Sequence, residues 1–271
     1  MNYWKYIAVY LLSLLIVAPA WGQLDTIKTI RIRDAKAFMT TDHLGALYIV
    51  ERNEIQKYPQ PIKSNKRIRF SDPQNGDIAH IDPFNPLAIV VLYKPFNQIL
   101  IIDNQLNTTT NRIEPEQLGV MDIQLVSATE QNMLWMYDQA SDRLYRYNLD
   151  TRRIEFQSQI ITKLAGQEVS VAYLTSDMNG VYLSCPEVGI LIFDFFGNYR
   201  KRLPEKNIQR FQVKNRSVIF YRNQQIEIHD IEKPESRKVF LGIDEVTNIR
   251  LEERHVFIQT SDNVIIGRLN Q

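Results

Sequence analysis

The stretch that decides the fold is Ile190-Leu191-Ile192-Phe193-Asp194, an apolar run rich in β-branched residues that ends in a polar residue. A short run of this composition is typical of a buried β-strand. Similar runs recur along the chain at intervals of 36 to 46 residues. They begin at Ile55, Ile99, Leu144, Ile190, Ile226 and Val264. Six copies of a unit with a period of about forty residues predict an all-β fold, a six-bladed β-propeller.

Each copy also contains a strand that we predict to line the centre of the propeller. These inner strands are predicted at Ala37–Thr41, Ile78–Asp82, Ile123–Ser127, Val169–Leu174, Phe211–Lys214 and Asn248–Leu251. Turn-forming pairs such as Asp82-Pro83 and Asn179-Gly180 follow some of them. The repeats contain no segment with the periodicity of a long amphipathic helix, which agrees with the all-β prediction.

The sixth copy is one strand short. After its third strand the chain has only Arg268-Leu269-Asn270-Gln271, which is too little for an outer strand. At the other end of the chain, residues 26–32 alternate isoleucines with polar residues and have no place in the first copy. We therefore predict that this N-terminal strand completes the last blade and closes the ring, which leaves no long free strand edge. An open propeller and two packed sheets are the alternatives.

Residues 1–22 are predicted to be a signal peptide. Lys5 precedes an uncharged apolar core at Tyr6–Val17, Pro19 ends that core, and Ala20 and Gly22 are small residues at the cleavage position. The core is about a dozen residues, short of the roughly 20 needed to span a bilayer, so a retained anchor is the alternative reading. We expect residues 23–271 to form a single propeller domain without a transmembrane segment, exported to the periplasm or associated with the outer membrane.

Composition argues against several functional classes. The chain has 32 basic and 31 acidic residues, and removal of residues 1–22 takes away Lys5, which leaves no formal net charge. A balanced domain gives no support for nucleic acid binding, which favours a strongly basic domain. Cys185 is the single cysteine, so an internal disulfide is impossible and we expect a buried, unreactive thiol. The sequence also lacks glycine-rich phosphate loops and closely spaced histidine pairs.

Candidate metal ligands occur where the inner strands begin. These acids are Asp77, Asp122 and Glu168. Three acids from different blades around a tunnel would suit Ca²⁺, with His80 as a base. Arg210 and Arg250 are expected in the same ring and oppose a cation, so solvated acids paired with these arginines are the structural alternative. We therefore predict no metal, no cofactor and no catalytic residue, with Ca²⁺ as the alternative.

Two groups of residues are candidates for partner binding. Tyr93, Lys94 and Phe96 flank a proline in a turn between two strands, where an apolar contact patch is possible. Arg200, Lys201 and Arg202 belong to a basic belt on the outer strands. The belt also includes Lys28, Arg31, Arg33, Lys66, Arg67, Arg69, Arg112, Arg152, Arg153, Arg237 and Lys238. Charged outer strands prevent strand-to-strand aggregation, and they also suit an anionic polymer, lipid headgroups or an acidic partner.

One blade carries a family resemblance. The segment Ile190-Leu191-Ile192-Phe193-Asp194-Phe195-Phe196-Gly197-Asn198-Tyr199-Arg200 resembles the strand–Asp–x–x–Gly–strand unit of six-bladed TolB-like and NHL-type propellers. The signal sequence and the lean blades are similar to exported propellers of Bacteroidota-type bacteria. This resemblance implies a six-bladed ring in the cell envelope. The superfamily includes binding scaffolds and metal-dependent lactone hydrolases, and no metal-ligand set of the hydrolase branch maps onto this sequence.

The sequence therefore predicts a non-enzymatic propeller that acts as a scaffold in the bacterial cell envelope. Its partner would be an envelope protein or an anionic polymer. The alternative is a Ca²⁺-dependent hydrolase or lyase of the lactonase-like propeller type, acting at the tunnel mouth. Convergent carboxylates favour the enzyme, whereas a tunnel filled by arginines favours the scaffold.

Overall fold

The computed structural model describes residues 24–60, 62, 64, 66–129, 132–253 and 255–269. In these residues the strands form six antiparallel sheets of four strands, arranged as a propeller. The strands of the first three blades, from the inside outwards, are β2 (Phe38–Thr41), β3 (Leu47–Glu51), β4 (Glu54–Tyr58) and β5 (Ile68–Ser71) in blade 1; β6 (His80–Asp82), β7 (Ile89–Tyr93), β8 (Gln98–Ile102) and β9 (Thr108–Ile113) in blade 2; and β10 (Ile123–Ala128), β11 (Met133–Asp138), β12 (Arg143–Asn148) and β13 (Arg153–Gln157) in blade 3.

Blades 4 to 6 complete the ring. Their strands, in the same order, are β14 (Tyr173–Asp177), β15 (Gly180–Cys185), β16 (Gly189–Asp194) and β17 (Tyr199–Leu203) in blade 4; β18 (Gln212–Lys214), β19 (Ser217–Arg222), β20 (Gln225–Asp230) and β21 (Ser236–Phe240) in blade 5; and β22 (Asn248–Glu252), β23 (His255–Gln259), β24 (Asn263–Leu269) and β1 (Leu24–Arg31) in blade 6. A short helix α1 (Ile161–Ala165) lies between blades 3 and 4. Short 3-10 helices occupy Pro73–Asn75, Lys94–Phe96 and Pro115–Leu118.

The N-terminal strand closes the ring, as predicted. β1 is the outermost strand of blade 6 and pairs antiparallel with β24, from Leu24 opposite Leu269 to Arg31 opposite Asn263. The pairing is interrupted by a bulge between Thr26 and Lys28. The closure gives blade 6 its outer strand and leaves β24 without a free edge. The predicted signal peptide, residues 1–22, lies outside the described residues.

The core lies between the blades. Every residue of β7 is buried, because its side chains alternate between two neighbouring blades. Val91 packs in the apolar cluster shared with blade 1, whereas Val90 packs in the cluster shared with blade 3. This two-sided burial explains why the strands that mark the repeat are continuous apolar runs rather than alternating ones.

The structure corrects the predicted position of the inner strand of blade 4. It was expected at Val169–Leu174, but β14 begins at Tyr173 and its pairing with β15 runs to Asp177 opposite Gly180. Val169 and Val171 instead pack against the core from the preceding connection. The apolar character of Val169 and Val171 therefore reflects their packing in this connection and does not mark a β-strand. The other inner strands begin within two residues of their predicted positions.

The polar residue after the third strand is a turn former. In blade 4 the carboxylate of Asp194 accepts hydrogen bonds from the backbone N–H groups of Phe196 and Asn198, both at 2.9 Å. In blade 2 Asp103 accepts equivalent bonds from Gln105 and Asn107 at 2.8 Å. These aspartates hold the turn to the outer strand in the manner of Asx turns, so the repeated motif is structural.

Among the described residues we find no helix with the length and apolar character needed to cross a bilayer.

Candidate functional site

A chamber of about 220 Å³ opens at one end of the central channel. Its lining includes the last residues of five inner strands: Thr41, Asp82, Asp177, Lys214 and Glu252. The inner strands therefore run in the same direction around the axis. The chamber continues inwards to His80, Tyr173 and Arg250.

The carboxylates around this chamber hold the fold together. Asp82 accepts hydrogen bonds from the Ser127 hydroxyl at 2.7 Å and from the backbone N–H groups of Ala128 and Phe84 at 2.9 Å, and burial raises its pKa. Glu252 accepts a bond from the Thr41 hydroxyl at 2.6 Å and pairs with Lys214 at 2.9 Å. These contacts join neighbouring blades.

Two further acids at the chamber support their own turns. Asp42 accepts bonds from the backbone of Leu44 and Ala46 and from the Tyr48 hydroxyl. Asp177 accepts bonds from the backbone of Asn179 and Gly180. These bonds stabilise the turns that follow the inner strands of blades 1 and 4.

The inner part of the channel is filled by a cluster around Tyr173. The Arg250 Nη2 donates to the Tyr173 hydroxyl at 2.6 Å, and Nη1 donates to the Phe211 carbonyl at 2.8 Å. The guanidinium carbon of Arg210 lies 5.8 Å from the centroid of the Tyr173 ring and 5.1 Å from that of Phe38. The His80 ring centroid is 6.0 Å from that of Tyr173. We call Arg210, Arg250, Tyr173 and His80 the channel cluster.

The electrostatics of the channel cluster oppose protonation of His80. Burial, followed by the charges of Arg210 and Arg250, lowers the pKa of His80 to about 3. Its ring therefore remains neutral and binds a proton weakly. A weakly basic ring gives little support to the role of base suggested for His80.

The structure does not bring Asp77, Asp122 and Glu168 together. Asp77 and Glu168 are exposed, and half-buried Asp122 accepts a bond from the Gln124 amide at 2.5 Å. Within the described residues, no group of three metal-ligating atoms lying within 4.8 Å of one another includes any of these acids. The calcium site thus gains no support from the geometry.

A different group of potential ligands does converge, and the sequence analysis missed it. Glu205, Glu227 and His229 place one ligand atom each within 4.8 Å of one another. Glu227 and His229 are two residues apart on one face of β20, a spacing that could have signalled the pair. Glu205 comes from the connection before blade 5, and only the fold places it there.

Arginine rather than a metal satisfies this group. Arg222 donates to both oxygens of Glu227 at 3.0 and 2.9 Å and to Glu205 at 2.8 Å. Burial of Glu227 opposes its ionisation, but the bonds from Arg222 and His229 outweigh that cost and lower its pKa to about 2. The group is an ion-pair network between blades 4 and 5.

The turn residues predicted for partner binding separate into two kinds. Tyr93 is fully buried in the core between blades 1 and 2, so its side chain is not part of a contact surface. Lys94 and Phe96 are exposed. The buried tyrosine follows from its position as the last residue of β7, where apolar side chains face the neighbouring blades.

The basic residues of β17 are mostly engaged. Lys201 pairs with Glu232 at 3.0 Å, and Arg202 donates to the Ala165 carbonyl at 3.3 Å. Arg200 is exposed and lines a depression together with Arg216. This part of the predicted belt therefore offers fewer free cations than the sequence suggests.

The closing strand creates a more basic surface beside blade 1. A groove of about 450 Å³ lies there, and its charged lining residues are Arg31, Arg33, Asp34, Glu51, Arg52, Glu54, Arg67 and Arg69. Arg52 pairs with Asp34 at 3.1 Å, and Arg69 pairs with Glu54 at 3.7 Å. Within the described residues, the side chains of Arg31, Arg33 and Arg67 have no carboxylate within 4.0 Å. We call this surface the arginine groove.

Cys185 is buried, as predicted. Burial raises the pKa of its thiol to about 12, so the thiolate is scarce at neutral pH. The residue packs as a small apolar group in the cluster between blades 3 and 4.

Comparisons with known proteins bear on the fold. No protein family model matches the chain, and comparison with curated proteins gives no match. A streptogramin B lyase structure aligns with a TM-score of 0.65 at 13% identity, over 93% of this chain and 100% of that chain. A chain of the Mitotic Checkpoint Complex aligns with a TM-score of 0.66 at 10% identity, with 94% of each chain covered. The Neurospora crassa Pan2 WD40 domain aligns with a TM-score of 0.61 at 10% identity, over 93% of this chain and 98% of that domain. At such low identity these similarities show the propeller fold.

Proposed function

We propose that this protein is an exported, non-enzymatic scaffold of the bacterial cell envelope that binds an anionic polymer in the arginine groove. The observation that carries the proposal is the set of guanidinium groups of Arg31, Arg33 and Arg67, which have no carboxylate within 4.0 Å among the described residues, although the Arg67 Nη1 donates to the Gln56 Oε1 at 3.4 Å. Guanidinium groups bind carboxylates and phosphates in a bidentate manner. Several of them along one groove suit a ligand with repeated negative charges.

The balance of charge within the groove supports this choice. Asp34 and Glu54 are each paired with an arginine, while Glu51 accepts the backbone N–H groups of Arg33 and Asp34 at 2.7 and 3.3 Å. The lining has five arginines against three acids, so positive charge is in excess in the groove. An isolated basic strand edge would need only scattered cations to prevent aggregation. Here β1 and blade 1 contribute arginines to one concave surface.

The channel argues against the enzymatic alternative. Arg210 and Arg250 oppose a cation in the channel, and among the described residues no three channel carboxylates place ligand atoms within 4.8 Å of one another, as a cation-dependent hydrolase would need. The similarity to a lyase structure rests on shared fold at 13% identity and transfers no active site.

The proposal is tested with purified protein comprising residues 23–271 and two probes, dextran sulfate and uncharged dextran. We expect saturable binding of dextran sulfate that weakens as salt is raised, and no binding of dextran. The triple variant Arg31→Gln, Arg33→Gln, Arg67→Gln should weaken binding by about tenfold or more.

The matched control is Arg153→Gln, Arg216→Gln, Arg237→Gln, which removes the same number of positive charges from exposed positions in blades 3 and 5. Equal losses in the two triple variants would show that net charge, not the groove, binds the polymer. Absence of dextran sulfate binding by the wild-type protein would reject the polymer and leave an envelope protein as the partner to be sought.

A further inference from the structure

We infer that the channel cluster forms a second binding site, for a small oxyanion with a carboxylate or phosphate group, independent of the arginine groove. Arg210 and Arg250 place guanidinium groups within 6 Å of the same Tyr173 ring in the interior of the propeller. The two charges act on each other, since that of Arg250 contributes to lowering the pKa of Arg210, and cations in a protein interior normally have a counter-ion.

Arg250 is built into the site. Arg250 is 5% exposed, and its two terminal nitrogens donate hydrogen bonds to the Phe211 carbonyl and the Tyr173 hydroxyl. Its Nε–H is buried and has no hydrogen-bond partner in the described part of the chain. A buried donor without an acceptor is costly, so binding of a ligand that places an oxygen acceptor at this N–H group would be favoured.

Arg210 contacts aromatic rings rather than polar groups. Its guanidinium group lies over the faces of Phe38 and Tyr173, and among the described residues no carboxylate is within 4.0 Å of it. Burial and the charge of Arg250 lower its pKa, while the Tyr173 hydroxyl acts in the opposite direction. Aromatic faces stabilise the cation but accept no conventional hydrogen bond, so its N–H donors remain available.

Charges of both signs lie around the channel cluster. The Asp82 carboxylate interacts electrostatically with Arg250. It also accepts hydrogen bonds from the Ser127 hydroxyl and the Ala128 backbone N–H in blade 3. Exposed Lys94 adds a third positive charge that acts on His80. The charges that act most strongly on His80 are those of Arg210, Arg250 and Lys94, and all three are positive, which favours an anion beside this ring.

The size of the cavity limits the ligand. The chamber that ends at Tyr173, His80 and Arg250, and whose lining does not include Arg210, has a volume of about 220 Å³, below the range of roughly 300 to 1,000 Å³ of pockets for drug-sized ligands. The carboxylates at its mouth repel a polymer with many negative charges. The site therefore suits a single phosphate or a small carboxylate, in contrast to the arginine groove.

The test is titration of the protein comprising residues 23–271 with sodium phosphate and, separately, sodium acetate, at constant ionic strength maintained with sodium chloride. Calorimetry and the melting temperature are both recorded. We expect a saturable rise in melting temperature with at least one oxyanion, since a ligand of the folded state stabilises it by mass action. Phosphate and acetate distinguish the two ligand classes.

Arg210→Gln should weaken this binding by about tenfold, because its guanidinium group has no protein hydrogen bond to lose. Lys94→Gln is a second variant, at an exposed position. It should weaken oxyanion binding about two- to fivefold, because it removes a positive charge that attracts the anion. Arg153→Gln, exposed on blade 3, should have no effect. The inference is overturned if neither oxyanion binds at up to about 50 mM, or if Arg210→Gln and Lys94→Gln bind as well as the wild type.

Discussion

The side chain of Gln259 in blade 6 binds the backbone N–H of Met39 in blade 1, with 2.9 Å between Oε1 and N, across a separation of 220 residues. The Gln259 Nε2 also donates to the Ala37 carbonyl at 2.7 Å, and the Asn248 Nδ2 donates to the Met39 carbonyl at 2.8 Å. Near the axis, therefore, side-chain amides join the last blade to the first. At the rim, β1 makes the same connection through backbone pairing.

We predict that Gln259→Leu lowers the free energy of unfolding by about 1 to 3 kcal/mol. The substitution retains the volume but leaves the buried Met39 N–H without its acceptor. Urea unfolding followed by circular dichroism measures the loss. The control is Gln224→Leu. The Gln224 amide donates a hydrogen bond to the exposed Asp244, so this substitution should change the free energy of unfolding by less than about 0.5 kcal/mol. Equal stability of Gln259→Leu and the wild type would refute the role of this contact in closure.

Deletion of residues 24–31 should destabilise the whole ring by several kcal/mol, at about 1 kcal/mol for each net hydrogen bond together with lost apolar contacts. The deletion exposes the edge of β24 from Asn263 to Leu269. Differential scanning calorimetry would show a lower melting temperature, and a synthetic peptide of residues 23–33 added in excess should restore part of it. A truncated protein that melts with the wild type would disprove closure by β1.

Gly197→Ala should destabilise the protein by about 2 to 4 kcal/mol through backbone strain and overpacking. Gly197 has a φ of +94°, and a Cβ at this position would lie 2.8 Å from the Trp135 ring and clash with Phe156. Thermal unfolding measures the effect. Gly119→Ala is the matched control, because its φ is +77° but no atom lies within 4 Å of the added Cβ, and about 1 kcal/mol is expected. Similar losses in both variants would show that strain, not the contact with Trp135, dominates.

The Glu227 network should make stability depend on pH. The pKa of Glu227 is about 2 in the folded protein, below its ordinary value of 4.5, so ionised Glu227 favours the folded state. Its contribution, at most about 3 kcal/mol, is fully present above pH 4.5 and is lost as the pH falls towards 2. The stability difference between the wild type and Glu227→Gln, measured by urea unfolding, should shrink over that range. A difference that is constant with pH would contradict this assignment.

Export is tested directly by the mature terminus. If residues 1–22 are a signal peptide, expression of the full chain in a Gram-negative host should place the protein in the periplasmic fraction, with Gln23 as its first residue. Amino-terminal sequencing and cell fractionation supply the measurement. Replacement of Leu14 and Leu15 in the apolar core by arginine should block processing. Retention of Met1 on the wild-type protein would contradict the prediction.

Much of this fold could be predicted because a propeller repeats one local pattern. Strands such as β7 and β16 are buried on both faces, so their apolar runs stand out from the sequence. The spare strand before blade 1 and the missing strand after Val264 together predicted closure. The exception was blade 4, where Val169 and Val171 are apolar for packing outside a strand. Local composition cannot separate these two causes of burial.

The sequence by itself determined the number of blades and the closing strand, because both depend on strand periodicity and on turn-forming residues close in the chain. The tertiary structure decided which charged groups meet. Arg31 and Arg67 line one groove because closure brings β1 beside blade 1, and Arg210 and Arg250 meet at Tyr173 because three blades converge on one axis. The same applies to the burial of Tyr93 and to the pairing of Glu205 with Arg222. Electrostatic interactions act through space over a few ångströms, whereas the sequence pattern reports only neighbours along the chain.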